Sequence, residues 1–231
     1  CNPHNPTGKI WDRDTLGRIG ELAAKHHVLV LSDEIHCDMT APGLGYTPFA
    51  SVSERCRENS ITCIAPTKAF NLAGLQTAAV VVPNDVLRHK VWRALNTDEV
   101  AEPNTFAVDA AIAAFTKGGA WLDALRTYLH ENKELAADYI AREIPDVKAV
   151  PGQATYLLGL DWSQMMGFAG VAAGFSREKT GLYLSEGGQY GKNGEAFLRM
   201  NVACPRAVLR DGLERLKAGV AEYEEFALNR C

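Results

Sequence analysis

The chain alternates short apolar runs with stretches of helical periodicity. Leu16, Ile19, Leu22 and Ala23 recur at helical spacing with Arg, Glu and Lys on the other face, and Asp12 stands where an N-cap belongs, so a helix is predicted after residue 12. His26 and His27 close it, where positive character suits a helix C-terminus. VLVLSDE is a continuous apolar run, the pattern of a parallel strand covered on both faces. After the Pro- and Gly-rich TAPGLGYTPFA, a short helix is predicted around Glu54, a second buried strand in SITCIAPT and a third in QTAAVVVP. Helix and strand thus alternate in this half, which predicts an α/β sheet.

From Asp85 the character turns helical: DVLRHKVWRAL, then Thr105 to Lys117, then a long amphipathic run from Ala120 to Ile144. In that run Leu122, Leu125, Leu129 and Leu135 fall near one face, and Pro145 ends it. The remainder reads as α+β, with strands at Val147–Val150, in ATYLLGLDW and in AFLRMNV, and a last helix from Arg206 to about Ala227. Met165, Met166 and Phe168 read as core packing, and no internal repeat or low-complexity tract is present. The simplest partition is 1–120 and 121–231, with the boundary at the long helix.

Composition narrows the function classes. With 24 Lys+Arg against 28 Asp+Glu, the net charge of -4 argues against a nucleic-acid binder. No apolar run approaches bilayer length and no signal-peptide pattern heads the chain, so no membrane partner is expected. Cys1, Cys37, Cys56, Cys63, Cys204 and Cys231 show no C-x-x-C pair and no zinc-like spacing; they read as reduced, mostly buried thiols of a cytoplasmic protein without a metal site. A chain that begins inside a loop, without Met, is expected to be a fragment of a longer one.

That opening loop, NPHNPTG, contains two X-Pro steps followed by Thr7-Gly8, so it is neither helix nor interior strand. It presents Asn5, a donor and an acceptor at once; a plain surface turn is the alternative. Asp33 lies at the carboxyl end of the first strand, where open α/β sheets place ligands. A carboxylate there needs a cation or several donors, and a cap or salt-bridge role is the alternative. His36 comes near Asp33 if the chain turns. Lys68 follows the second strand with flanks apolar apart from Thr67 and Asn71; such an amine is poised to attack a carbonyl carbon, or else snorkels at a sheet edge. Arg199 sits inside an alternating strand, where its fork calls for a carboxylate from protein or substrate. Arg206, after Pro205, reads as structural. An amine for a carbonyl, a carboxylate for a pyridine nitrogen, a polar loop and an arginine for an amino acid's carboxylate form the set that pyridoxal-phosphate chemistry needs.

In NPHNPTG, SDEIHCD, APTKAFNLAGLQ and FLRMNVACPR, taken in this order, the sequence resembles the class I/II aminotransferase-like pyridoxal-phosphate enzymes of fold type I. DEIHCD with TKAFNLAGLQ looks most like the MalY/PatB branch of cystathionine β-lyases, because ordinary aminotransferases carry Tyr where this chain has His36. The resemblance implies an α/β fold: the C-terminal part of a large cofactor-binding domain over 1–120, then a linking helix and a small α+β domain over 121–231. It implies that Lys68 holds pyridoxal 5′-phosphate covalently, Asp33 pairs with the pyridine nitrogen, Asn5 bonds the phenolic oxygen with His36 near by, Thr67 helps bind phosphate and Arg199 clamps the substrate carboxylate. The implied activity is carbon–sulfur β-elimination from cystathionine or cysteine S-conjugates by a homodimer, with a small-amino-acid aminotransferase, an effector-sensing domain and an inert fragment as the other readings. Two positions depart from the family pattern: Ala65 stands where many relatives have Ser, and Gln76 where they have a phosphate-binding Arg.

Overall fold

The computed structural model describes residues 1–150, 152–165 and 169–228. Met166, Phe168 and Cys231, read above from sequence, lie outside the described residues. The chain divides into two compact units, one of residues 1–4 with 9–126, the other of residues 5–8 with 127–231.

The first unit contains α1 (Arg13–Lys25), β1 (Val30–Asp33), α2 (Glu54–Glu58), β2 (Ser60–Ile64), α3 (Pro66–Ala69), β3 (Ala79–Val81), α4 (Asp85–Thr97) and α5 (Ala107–Lys117). Asp12 caps α1 as the sequence predicts, its carboxylate accepting from the Thr15 N–H at 2.7 Å. Leu16 of α1 packs with Phe49 and Cys56 in a small apolar core. The strands form one sheet in the order β1-β2-β3, with β1 and β2 parallel.

Three expectations need correction here. The first strand is not covered on both faces: it is an edge strand, and Leu31 is 69% exposed while Ser32 points inward. The third strand is not buried: β3 is exposed along its whole length, and it pairs antiparallel to β2 after a link of only a one-turn helix and a 3-10 turn (Ala73–Leu75). Of the described thiols only Cys56 is buried; Cys37, Cys63 and Cys204 are half-buried and Cys1 is exposed, all five free of disulfides. Trp92, Phe106, Ile112 and Phe115 leave an apolar surface exposed on α4 and α5.

The boundary between units falls within α6 (Gly119–Glu143), and the second unit adds β4 (Lys148–Val150), β5 (Leu157–Asp161), α7 (Ala169–Thr180), β6 (Ser185–Glu186), β7 (Phe197–Asn201) and α8 (Arg206–Leu228). Its antiparallel sheet has the order β4-β5-β7-β6. Ile140, Leu160, Leu198, Val202, Leu213 and Leu216, with almost no exposure, form the centre of the core, and Met165 joins it as predicted. Asn132 on α6 is fully buried and donates to the carbonyls of Val202 (2.9 Å) and Cys204 (3.1 Å), which pins the chain between β7 and α8. Arg206 is structural: its N–H donates to the Tyr128 hydroxyl at 3.0 Å and its guanidinium pairs with Glu131. Among the described residues no helix is long and apolar enough to cross a membrane, and no group of three His, Cys, Asp or Glu is placed to hold a metal ion.

Candidate active site

In the first unit, β1 and β2 run parallel with Asp33 opposite Cys63, so both strands deliver their carboxyl ends to one edge. The sequence places Asp33 at the first end and Thr67 and Lys68 just past the second. The Asp33 carbonyl accepts from the Asn2 N–H at 2.9 Å, and its carboxylate accepts from the Ile35 N–H at 3.2 Å. The chain does turn after β1: the Cys37 N–H donates to Glu34 O and the Met39 N–H to His36 O. His36 is thereby buried at 4% exposure. Thr67 and Lys68 lie half-buried in α3, and no ion pair joins Lys68 to an acidic residue among the described residues. Ala65 stands at the N-cap of α3 with no capping side chain. Gln76 takes a left-handed conformation (φ 49) at the end of the following turn.

Beneath Asp33 lies a group that sequence reasoning missed. Glu34 is 1% exposed and accepts from Ser32 Oγ at 2.8 Å, Tyr46 Oη at 2.9 Å and the Phe49 N–H at 2.9 Å. Three donors satisfy a carboxylate that would otherwise be costly to bury. Side chains alternate along an extended chain, so burying Ser32 and Glu34 turns Asp33 to the opposite side. Glu34 also ties the 46–49 segment to the strand end that carries Asp33. Beside it, burial pushes the Cys37 thiol up to about 12, which removes it from nucleophilic chemistry. Arg126 closes the neighbouring loop, donating through Nε to Thr40 O (2.8 Å) and through Nη2 to Thr40 Oγ1 (2.7 Å).

In the second unit the structure brings Asn5 and Arg199 together. Nη1 of Arg199 donates to Asn5 Oδ1 at 3.2 Å, and Nη2 donates to Ser185 Oγ at 3.2 Å. Both partners are neutral, and no carboxylate pairs with this half-buried guanidinium among the described residues. The 5–8 loop is held from two sides. Its neck closes where the His4 N–H donates to Lys9 O at 2.8 Å, and its far end is gripped where the Gln153 N–H donates to Gly8 O at 2.9 Å. Gly8 needs to be glycine on two counts: φ is +68, and a Cβ would meet Ala154 O at 2.5 Å.

The gripping turn is anchored by Lys133 of α6, whose ammonium donates to Ala154 O at 2.6 Å. Burial pulls this amine down from 10.5 to about 8. Between those values the unfolded chain keeps a proton that the folded chain has shed, so folding stability rises with pH across that window. From pH 7 to pH 10 the protein is expected to gain about 1–2 kcal/mol relative to Lys133→Met, after discounting for partial exposure. Parallel urea titrations of the two proteins across this range check it, and parallel pH curves would contradict it.

Known proteins resemble this chain along most of its length. A family model described as aminotransferase class I and II matches residues 1–216. Cystathionine beta-lyase PatB of Bacillus subtilis is 43% identical over 222 residues, covering 96% of this chain and 57% of the relative. Protein MalY of Escherichia coli is 34% identical over 94% of this chain and 55% of its own length. The structure of cystalysin from Treponema denticola, which contains pyridoxal 5′-phosphate, matches with a TM-score of 0.92 at 29% identity, over 96% of this chain and 57% of that one. The chain thus spans a little over half the length of the relatives it matches.

Proposed function

The chain belongs to the class I and II aminotransferase family, and from that premise we propose that it carries the reactive lysine of a pyridoxal-phosphate-dependent carbon–sulfur β-lyase acting on cystathionine or cysteine S-conjugates. The observation that carries the reading is the sheet edge of the first unit, where a half-buried lysine without an acidic partner and a carboxylate follow adjacent parallel strands. The donor set fits the cofactor: an amine for its carbonyl, the Asp33 carboxylate for its ring nitrogen and the Thr67 hydroxyl for its phosphate. Asn5 and Arg199, which pair in the second unit, are the proposed groups for the phenolic oxygen and for the substrate carboxylate, and His36 of the first unit is a further group proposed for that oxygen.

When bound, pyridoxal phosphate supplies the electron sink for a carbanion at the substrate's α-carbon. Lys68 would hold the cofactor through its amine and would take the substrate's α-proton as general base. Asp33 would pair with the ring nitrogen and favour its protonated form. Arg199 would pair with the substrate's α-carboxylate. Loss of that proton and cleavage of the Cβ–S bond release the thiol, and one water converts the remaining three-carbon unit to pyruvate and ammonia. The relatives named cystathionine beta-lyase support this substrate class.

Product analysis tests the reading. The protein reconstituted with pyridoxal phosphate and given L-cystathionine is expected to release pyruvate and homocysteine in equal amounts. A 2-oxo acid that retains the sulfur chain would replace the lyase with an aminotransferase. A homodimer belongs to the same proposal, supported by the exposed Trp92, Phe106, Ile112 and Phe115, and a monomeric mass by light scattering would contradict it. A cytoplasmic location, supported by the free thiols, is checked by cell fractionation.

A further inference from the structure

Arg199 is held in its own plane by Asn5 and Ser185, but two long bonds to neutral acceptors leave the guanidinium free to tilt about the line joining them. A third contact bears on that freedom. The Tyr190 ring lies with its centroid 5.0 Å from Arg199 Cζ, within reach of a cation–π contact. The segment carrying Tyr190 is built to stay in place. Tyr190 ends a 3-10 turn (Gly187–Tyr190), and Gly191 follows at φ 131. Gly187 and Gly194 then bring the two arms of the loop into backbone contact: a Cβ on Gly187 would meet Gly194 O at 2.3 Å, and one on Gly194 would meet Gly187 O at 2.2 Å. Ser185 stands directly across from Arg199 in the β6–β7 pairing, so the hydroxyl bonded to the guanidinium and the ring beside it come from the two ends of one short segment. Each terminal nitrogen of Arg199 gives one N–H to a neutral oxygen and keeps another for a ligand.

We propose that Tyr190 is a positioning residue for Arg199, and that its ring fixes the tilt of the guanidinium so that the two remaining N–H groups meet a planar carboxylate as a bidentate pair. This rests on the reading of Arg199 as the carboxylate subsite and assigns selectivity for α-carboxylates to a residue that does not itself touch the ligand. A stacked, pre-oriented fork binds a planar carboxylate better than a point charge does, and it offers nothing to an amine that lacks the carboxylate.

The test uses two ligands that differ only in that group, L-alanine and ethylamine, titrated against the cofactor absorbance of the reconstituted protein. Tyr190→Leu is expected to weaken L-alanine binding about tenfold and to change ethylamine binding less than about twofold, while Tyr190→Phe keeps the wild-type preference. Equal weakening of both ligands would make Tyr190 a general structural residue and overturn the inference, as would an unchanged affinity for L-alanine in Tyr190→Leu. Loss of preference in Tyr190→Phe would assign the effect to the hydroxyl and overturn it too. Wild-type protein with no alanine-dependent absorbance change would contradict the underlying site reading, an outcome distinct from a variant that simply behaves as wild type.

Discussion

Lys68→Ala is expected to eliminate the covalent cofactor adduct and to lower pyruvate release from L-cystathionine by about a thousandfold or more. The size follows from two roles held by one amine. In the proposed function it is both the attachment point of the cofactor and the base that takes the α-proton, so its loss would remove both the positioned cofactor and the proton acceptor. No second lysine lies within the APTKAFNLAGLQ segment to substitute for it. Cofactor that still binds without a covalent bond would rely on groups such as Asp33 and Thr67, and the absorbance of free pyridoxal phosphate would mark it. An adduct of wild-type yield in Lys68→Ala would remove Lys68 from both roles.

Arg199→Ala carries the second large effect. A half-buried guanidinium whose partners here are Asn5 Oδ1, Ser185 Oγ and an aromatic ring has its charge uncompensated by the protein. Such a cation gains most when a carboxylate arrives, and truncating one member of a charge pair of this kind costs about 2–4 kcal/mol, or roughly 30- to 1,000-fold in affinity. KM for amino-acid substrates is expected to rise by that order, with cofactor affinity unchanged. Arg199→Lys is expected to recover only part of it, because an ammonium cannot present two parallel N–H groups. Steady-state kinetics on both variants decide the matter; an unchanged KM in Arg199→Ala would assign the carboxylate to another residue.

Much of the architecture is legible in the sequence because it is written in contrast. The α1 cap at Asp12, the strand ends at Asp33 and Ile64 and the stop of α6 before Pro145 all follow from local chemistry. Helix α7 escapes that reading because its inward face is made of Ala172, Ala173 and Ser176, residues too small and too mild to stand out as an apolar stripe. They are small because α8 comes close: a Cβ on Gly219 would meet Ser176 Oγ at 2.6 Å. The same blindness hides Glu34 and Lys133. Both are charged types that pattern reasoning assigns to the surface, and their partners, Tyr46 and Phe49 for one and Ala154 for the other, are distant in sequence. The exposed Leu31 errs the other way, since an apolar run says that a strand can be covered without saying by what.

The candidate site divides similarly. The positions of Asp33 and Lys68 are legible because strand-end position is a local property, whereas Thr67 is singled out through the family resemblance. That Asn5 meets Arg199 is not legible from spacing, since a separation of 194 residues carries no local signal; the family resemblance alone suggested a shared role. Tyr190 gave no sequence signal at all. A single aromatic in a Gly-rich loop reads as a turn, and only the geometry shows it lying over a guanidinium.

The central claim is that Lys68, at the carboxyl end of β2, is the amine that binds the cofactor. Reduction of the wild-type protein with borohydride in the presence of pyridoxal phosphate, followed by proteolysis and mass spectrometry, tests it most directly. Lys133 is the internal comparison, since burial lowers its amine to about 8 and leaves more of it unprotonated at neutral pH than an ordinary surface lysine. One cofactor per chain, attached at Lys68, is the expected result. Label on Lys133 or another lysine, with Lys68 unmodified, would contradict it.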